Sequence, residues 1–169
     1  MLHSFLTAVD KTIGVPSVSA HCDIPCKIYD PSTAQIAALT IIRLMDLIEE
    51  LNAKESLTMK DQAQLIRLVN EKEAHGLTVK EEIRVIWGDY FKQPQFDQVP
   101  GVHELVHSLM LQASKAKQGV DRAEGVALLA LVNQFAEAFW LTKGVKTAKS
   151  VCPYPPAEVV VYPVLETVE

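Results

Sequence analysis

With 169 residues, 49% of them hydrophobic, the chain is long enough for one well-buried core and too short for two ordinary domains. A formal net charge of -5 excludes the clustered basic surface that a nucleic acid requires, and apolar runs such as 126–132 fall far short of the roughly 20 residues needed to cross a bilayer. Small molecules or further copies of the chain are the partners this composition favours, with neither nucleic acid nor membrane among them. Cys22, Cys26 and Cys152 make no disulfide framework for a domain with enough core of its own, so redox or metal chemistry explains them better.

Residues 1–20 end in Val18-Ser19-Ala20, which looks like the small-residue cleavage site of a secretory signal. They lack a cationic start, and Asp10 and Lys11 interrupt the apolar centre, so they read as the propeptide of a cytoplasmic protein. The polar, Pro- and Gly-punctuated segment 12–30 has no regular period and is predicted extended or looped. Asp30-Pro31 then supplies an N-cap followed by proline at the first helical position. Ile36, Leu39, Ile42, Leu44, Met45, Leu47, Ile48 and Leu51 recur at helical spacing and predict a first helix over 31–53.

A second helical region covers 58–92, with Leu65, Ile66, Val69, Val79, Ile83, Ile86 and Tyr90 on its apolar side. Gly76 followed by Thr78-x-x-Glu81 admits either a break with a new capping box or one long kinked helix. A Pro-bearing connection over 93–101 leads to a third helix over 101–118, with Leu105, Val106, Leu109, Met110 and Ala113 inward. Gly119 ends it, and a fourth helix over 121–143 carries Val126, Leu129, Val132, Phe135, Phe139 and Trp140, the aromatic residues being read as core. Four amphipathic helices with short connections predict an all-α, antiparallel four-helix bundle over 31–143. The Pro-interrupted, β-branched residues 144–169 are predicted to form an extended tail on the bundle or on a neighbouring subunit.

The chemistry concentrates in His21-Cys22-Asp23-Ile24-Pro25-Cys26-Lys27-Ile28-Tyr29-Asp30-Pro31. A Cys pair four apart fits two ordinary thiols, and no second pair follows to complete a zinc site. A cut immediately before His21 changes the donor set. The new α-amine of His21, the backbone nitrogen of Cys22 and its thiolate would form fused five-membered chelate rings, and the turn through Pro25 lets Cys26 close the fourth corner. Two nitrogens and two sulfurs in a plane suit divalent nickel or copper and not zinc. The His21 imidazole remains for an axial position. Thiols with a reference pKa of about 8.5 and an amine of about 7.7–8.0 must lose protons on binding, so affinity should fall with pH.

That run resembles the nickel hook of the nickel superoxide dismutases, and Trp87-Gly88-Asp89-Tyr90-Phe91-Lys92 resembles a second block of the same family. The similarity spans roughly 19–143. It implies a mature chain beginning at His21, released by a maturation protease, a four-helix bundle assembled as a homohexamer, and a nickel ion held by His21, Cys22 and Cys26. It implies disproportionation of superoxide into dioxygen and hydrogen peroxide through alternating Ni(II) and Ni(III), with Asp23 and Tyr29 lining substrate access. Pro25 and Tyr90 then fall just behind the ligands. Tyr29, Tyr90 or an ordered water are the candidate proton donors. The family pattern sets a glutamate and an arginine behind the axial imidazole; Ala37 and His75 stand at those positions here.

Two rival readings accompany this one. His103-Glu104-Leu105-Val106-His107 satisfies the H-E-x-x-H pattern of zinc metallopeptidases, with Glu124 or Glu137 as a third ligand, although a solvated helix face explains it as simply. A non-catalytic nickel- or copper-binding protein would need the same hook and differ only in lacking turnover. Lys27 and Lys92 are candidates for attracting an anion, with solvated surface charge as the plain alternative.

Overall fold

The computed structural model describes residues 27–166. Helix α1 (Ser32–Asn52) starts where the Asp30 carboxylate accepts the Ser32 N–H at 2.7 Å. Its inward stripe is Ala34, Ala38, Ile41, Ile42 and Met45, all essentially inaccessible to solvent. Helix α2 (Met59–Val85) opens on a reciprocal cap: the Thr58 hydroxyl accepts the Asp61 N–H at 3.2 Å, and the Asp61 carboxylate accepts the Thr58 N–H at 3.0 Å.

Of the two alternatives at Gly76, the structure takes the unbroken helix. Thr78 turns its hydroxyl back to the Ala74 carbonyl at 3.2 Å instead of capping a new start. Gly76 has a packing reason, since a Cβ there would lie 3.1 Å from the Lys117 side chain. One turn earlier, the buried Lys72 sends its ammonium to the carbonyls of Ala116 and Lys117. It thereby satisfies acceptors that the end of helix α4 (Val102–Gln118) leaves without intrahelical donors. Burial pushes the Lys72 pKa down.

A π-helical turn (Ile86–Tyr90) follows α2, and a short helix, α3 (Gln93–Gln98), occupies the segment expected to be a loop. Helix α5 (Arg122–Thr142) is capped by Asp121, which accepts the Ala123 N–H at 2.9 Å. Packing runs α1 on α2, α2 on α4, α4 on α5 and α5 on α1, so chain order equals spatial order around the bundle. Where α5 meets α1 the approach is close: a Cβ on Gly125 would sit 3.0 Å from Ile42 and 3.1 Å from the Met45 sulfur. By length and composition α5 is apolar enough to cross a bilayer. Leu128, Val132, Phe135 and Phe139 account for that composition, because all four are fully buried in the bundle.

Two residues placed on the apolar faces are exposed. Ile36 is 56% and Ile66 62% accessible, while Ala37 and Leu68 take the inward positions. Each lies outside the stripe that recurs at three and four residues on its helix, which hydrophobicity alone does not reveal.

Residues beyond Gly144 fold back as an antiparallel hairpin of β1 (Thr147–Val151) and β2 (Val159–Pro163), registered Lys149 to Val161. The hairpin lies on α5 and is held there by side chains. The Asn133 carboxamide accepts the Val161 N–H at 3.1 Å and donates to the Val159 carbonyl at 2.9 Å, doing what the peptide group of a third strand would do. Gln35 donates to the Val161 carbonyl at 2.8 Å, and Arg122 bridges Asp46 and Glu158 at 2.7 Å each. Cys152 is buried beneath the hairpin, its thiol donating to the Tyr154 carbonyl at 3.3 Å.

Candidate metal centre

His21, Cys22, Asp23, Pro25 and Cys26 lie outside the described residues, which begin at Lys27. Lys27 has φ 60°, a left-handed conformation costing a side-chain-bearing residue roughly 1–2 kcal/mol, so the chain changes direction immediately after Cys26. Tyr29 follows two residues later. Its Cα is tethered within about 11 Å of the Cys26 Cα, the reach of three extended residues.

Tyr29 and Tyr90 are brought together, with ring centroids 5.7 Å apart and planes at 48°. The π-helical turn does this on the α2 side: an extra residue per turn rotates the chain beyond it, so that Tyr90 points toward Tyr29 while Phe91 enters the core at 1% exposure. Tyr90 also packs against Phe91 at 5.4 Å and Phe139 at 4.9 Å. Its hydroxyl is 2.8 Å from Thr142 Oγ1, and the Lys143 ammonium lies 4.4 Å from its ring centroid and 5.6 Å from that of Phe139. The end of α5 therefore supplies a hydroxyl and a cation to Tyr90 on the side of the bundle where Tyr29 packs. Neither Thr142 nor Lys143 is recognisable from sequence, since a threonine and a lysine ending a helix are ordinary; their meaning comes from Tyr90, 52 positions away.

The other candidates resolve differently. Lys92 donates its ammonium to the Gly88 carbonyl at 2.9 Å, bracing the π-helical turn, and Lys27 is exposed. His103 accepts the Trp87 indole N–H on Nδ1 at 3.1 Å and packs on Phe96 at 4.5 Å, so the first histidine of the H-E-x-x-H pattern serves packing, and His107 faces solvent. Ala37 is buried in the helix interface, and His75 Nδ1 is buried with no hydrogen-bond partner among the described residues. Among those residues no three His, Cys, Asp or Glu side chains form a group that would hold a metal. Cys152 is buried with its thiol on the Tyr154 carbonyl, and the chain's other two cysteines, Cys22 and Cys26, lie outside the described residues.

Residues 16–143 match the family model for nickel-containing superoxide dismutase. The chain belongs to that family. The superoxide dismutase [Ni] of Streptomyces seoulensis is 36% identical over 126 residues, covering 75% of this chain and 90% of that protein. The corresponding protein of Streptomyces coelicolor is 35% identical over 127 residues, covering 75% and 91%. Among solved structures, crystal structures of a Ni-containing superoxide dismutase in the oxidised state and after partial X-ray-induced reduction each align with TM-score 0.63 and 35% identity, over 73% of this chain and 99% of that one. Family membership favours neither the zinc peptidase nor the non-catalytic metal binder. The match ends at Lys143, so the hairpin is an addition to the nickel superoxide dismutase region, whereas Tyr29, Tyr90, Thr142 and Lys143 lie inside it.

Proposed function

We propose that nickel is held by the α-amine and imidazole of His21, the backbone nitrogen and thiolate of Cys22 and the thiolate of Cys26, after cleavage before His21. The chain is a nickel-dependent superoxide dismutase, an oxidoreductase that converts superoxide to dioxygen and hydrogen peroxide. Anionic sulfur and amide donors push electron density onto the metal and bring its trivalent state within reach, which is the chemistry the bound ion supplies. Within the protein, Pro25 shapes the turn between the two thiolates, and Asp23 and Tyr29 border the approach of superoxide. Tyr90 backs Tyr29 and fixes where that ring stands.

The observation that carries this reading is the packing of Tyr29 on Tyr90 at 5.7 Å, three residues after Cys26, in a chain whose third cysteine is buried elsewhere. Residues 1–20 are a propeptide removed by a maturation protease, the protein is cytoplasmic, and the mature chains assemble as a homohexamer. Cys22→Ser and Cys26→Ser are each expected to lose nickel and superoxide turnover together, measured as metal per chain and by pulse radiolysis. Retention of stoichiometric nickel by both variants would rule out the ligand set. Nickel occupancy at limiting metal should also fall as the pH drops below the ordinary range of the amine and thiols, about 7.7 to 8.5, because each donor must shed its proton.

A further inference from the structure

The donor direction along the Tyr90 chain follows from counting protons. Thr142 Oγ1 is 2.7 Å from the Phe139 carbonyl and 2.8 Å from the Tyr90 hydroxyl. A carbonyl only accepts, and a threonine hydroxyl has one proton, so that proton goes to Phe139. The Phe139 carbonyl is a ready acceptor: its regular i+4 donor, the Lys143 N–H, turns instead to Trp140 at 3.1 Å. Thr142 is therefore left to Tyr90 as an acceptor, and the Tyr90 proton must point at Thr142, into the bundle. What the Tyr90 oxygen presents to the rest of its surroundings is lone pairs. The ring cannot easily turn away from this arrangement, being packed by Tyr29, Phe91 and Phe139 and covered by the Lys143 ammonium.

We propose that Thr142 is a positioning residue: it holds the Tyr90 proton inward, so that Tyr90 stands beside Tyr29 as a fixed hydrogen-bond acceptor. The inference rests on the nickel-hook reading and deepens it. Superoxide becomes hydrogen peroxide by gaining one electron, from the metal couple of the family's activity, and two protons, from solvent. Tyr90 with its proton committed does not donate either of them. Its lone pairs instead hold a proton-bearing water or hydroxyl where it can donate to the reduced substrate, and Thr142 acts only through that orientation.

The test uses trimmed, nickel-loaded protein, with turnover normalised to bound nickel, and metal-free protein for spectroscopy. Thr142→Val keeps the shape and removes the acceptor, Thr142→Ser keeps the acceptor, and Tyr90→Phe removes the hydroxyl that Thr142 is said to orient. Thr142→Val is expected to lower kcat about three- to tenfold, the scale of one misplaced hydrogen bond, and to raise the solvent deuterium isotope effect. Thr142→Ser should restore kcat to within about twofold. Adding Thr142→Val to Tyr90→Phe should change nothing further, because its route is already gone. In metal-free protein the tyrosine Raman doublet, taken as the difference from Tyr90→Phe, should report a phenol that donates in wild type and in Thr142→Ser but not in Thr142→Val.

Wild-type kcat per nickel in Thr142→Val, or an undiminished Thr142→Val effect in the Tyr90→Phe background, would overturn the proposal, as would a Raman signature in wild type of a phenol that accepts without donating. If Thr142→Val does not fold, Thr142→Ser, Tyr90→Phe and the wild-type Raman signature still decide it. Absence of turnover in the nickel-loaded wild type would instead reject the hook reading and leave the Raman comparison to judge the hydroxyl direction.

Discussion

Asp61 receives hydrogen bonds from Lys54 and from the Thr58 hydroxyl and amide, which hold its carboxyl down at about 2 from an ordinary 3.8. A carboxylate with a depressed folded-state pKa contributes stability that is complete above its ordinary value and is lost as the pH falls through the folded one. Wild type should therefore exceed Asp61→Asn in Tm by a constant margin at neutral pH, with the margin shrinking between 3.8 and about 2 in a thermal melt series. A margin that persisted unchanged at the acid end would show that the carboxylate charge is not its source. His103 and His107 give a second test at this scale. His103→Phe strands the Trp87 N–H and should cost about 1 kcal/mol of stability, and His107→Ala should stay within about 0.5 kcal/mol. Neither should alter nickel content or turnover, as metal analysis and pulse radiolysis would show; loss of metal from either would revive the zinc-type motif.

Among the elements, the hairpin depends most on residues outside itself. Asn133→Leu removes the acceptor of the Val161 N–H and the donor to the Val159 carbonyl and should cost about 2 kcal/mol, with faster hydrogen exchange at the Val161 amide and unchanged exchange in α4. Equal acceleration in both would mean that the hairpin and bundle open as one unit. The same dependence explains why the helices were legible and the hairpin was not. Apolar residues such as Ile41, Ile42, Met45, Val132 and Phe139 recur on one face of their helices, and the starts of α1, α2 and α5 carry their own caps, so both signals are local. Val159-Val160-Val161-Tyr162-Pro163 has no alternation, and what fixes its edge is an asparagine and a glutamine on two different helices. Gly76 left two readings open for the converse reason, because its cause is a lysine on α4. At the site, the proposed donor residues rest on chelate-ring chemistry written in adjacent positions, and they lie outside the described residues. The Tyr90, Thr142 and Lys143 cluster was not, because a π-helical turn re-aims one ring and the helix that meets it lies far along the chain.

For the whole molecule, the proposed mechanism makes the bundle a mount and assigns the chemistry to a segment that must be released before it can bind nickel. Exposed Ile36 and Ile66 leave apolar area on the outer faces of α1 and α2, in keeping with burial against other subunits. Light scattering on trimmed, nickel-loaded protein should give six times the mass of the mature chain; a monomeric mass with full turnover would show that the hook works without assembly. The central claim is that a liberated His21 amine completes the metal site. It is tested most directly by preparing one batch of protein uncut and another cleaved before His21, offering both nickel, and measuring intact mass, bound metal and superoxide turnover on the same samples. The account predicts one nickel per chain and rapid turnover in the cleaved protein alone. Equal turnover by the uncut chain, or an active cleaved chain carrying zinc or no metal, would contradict it.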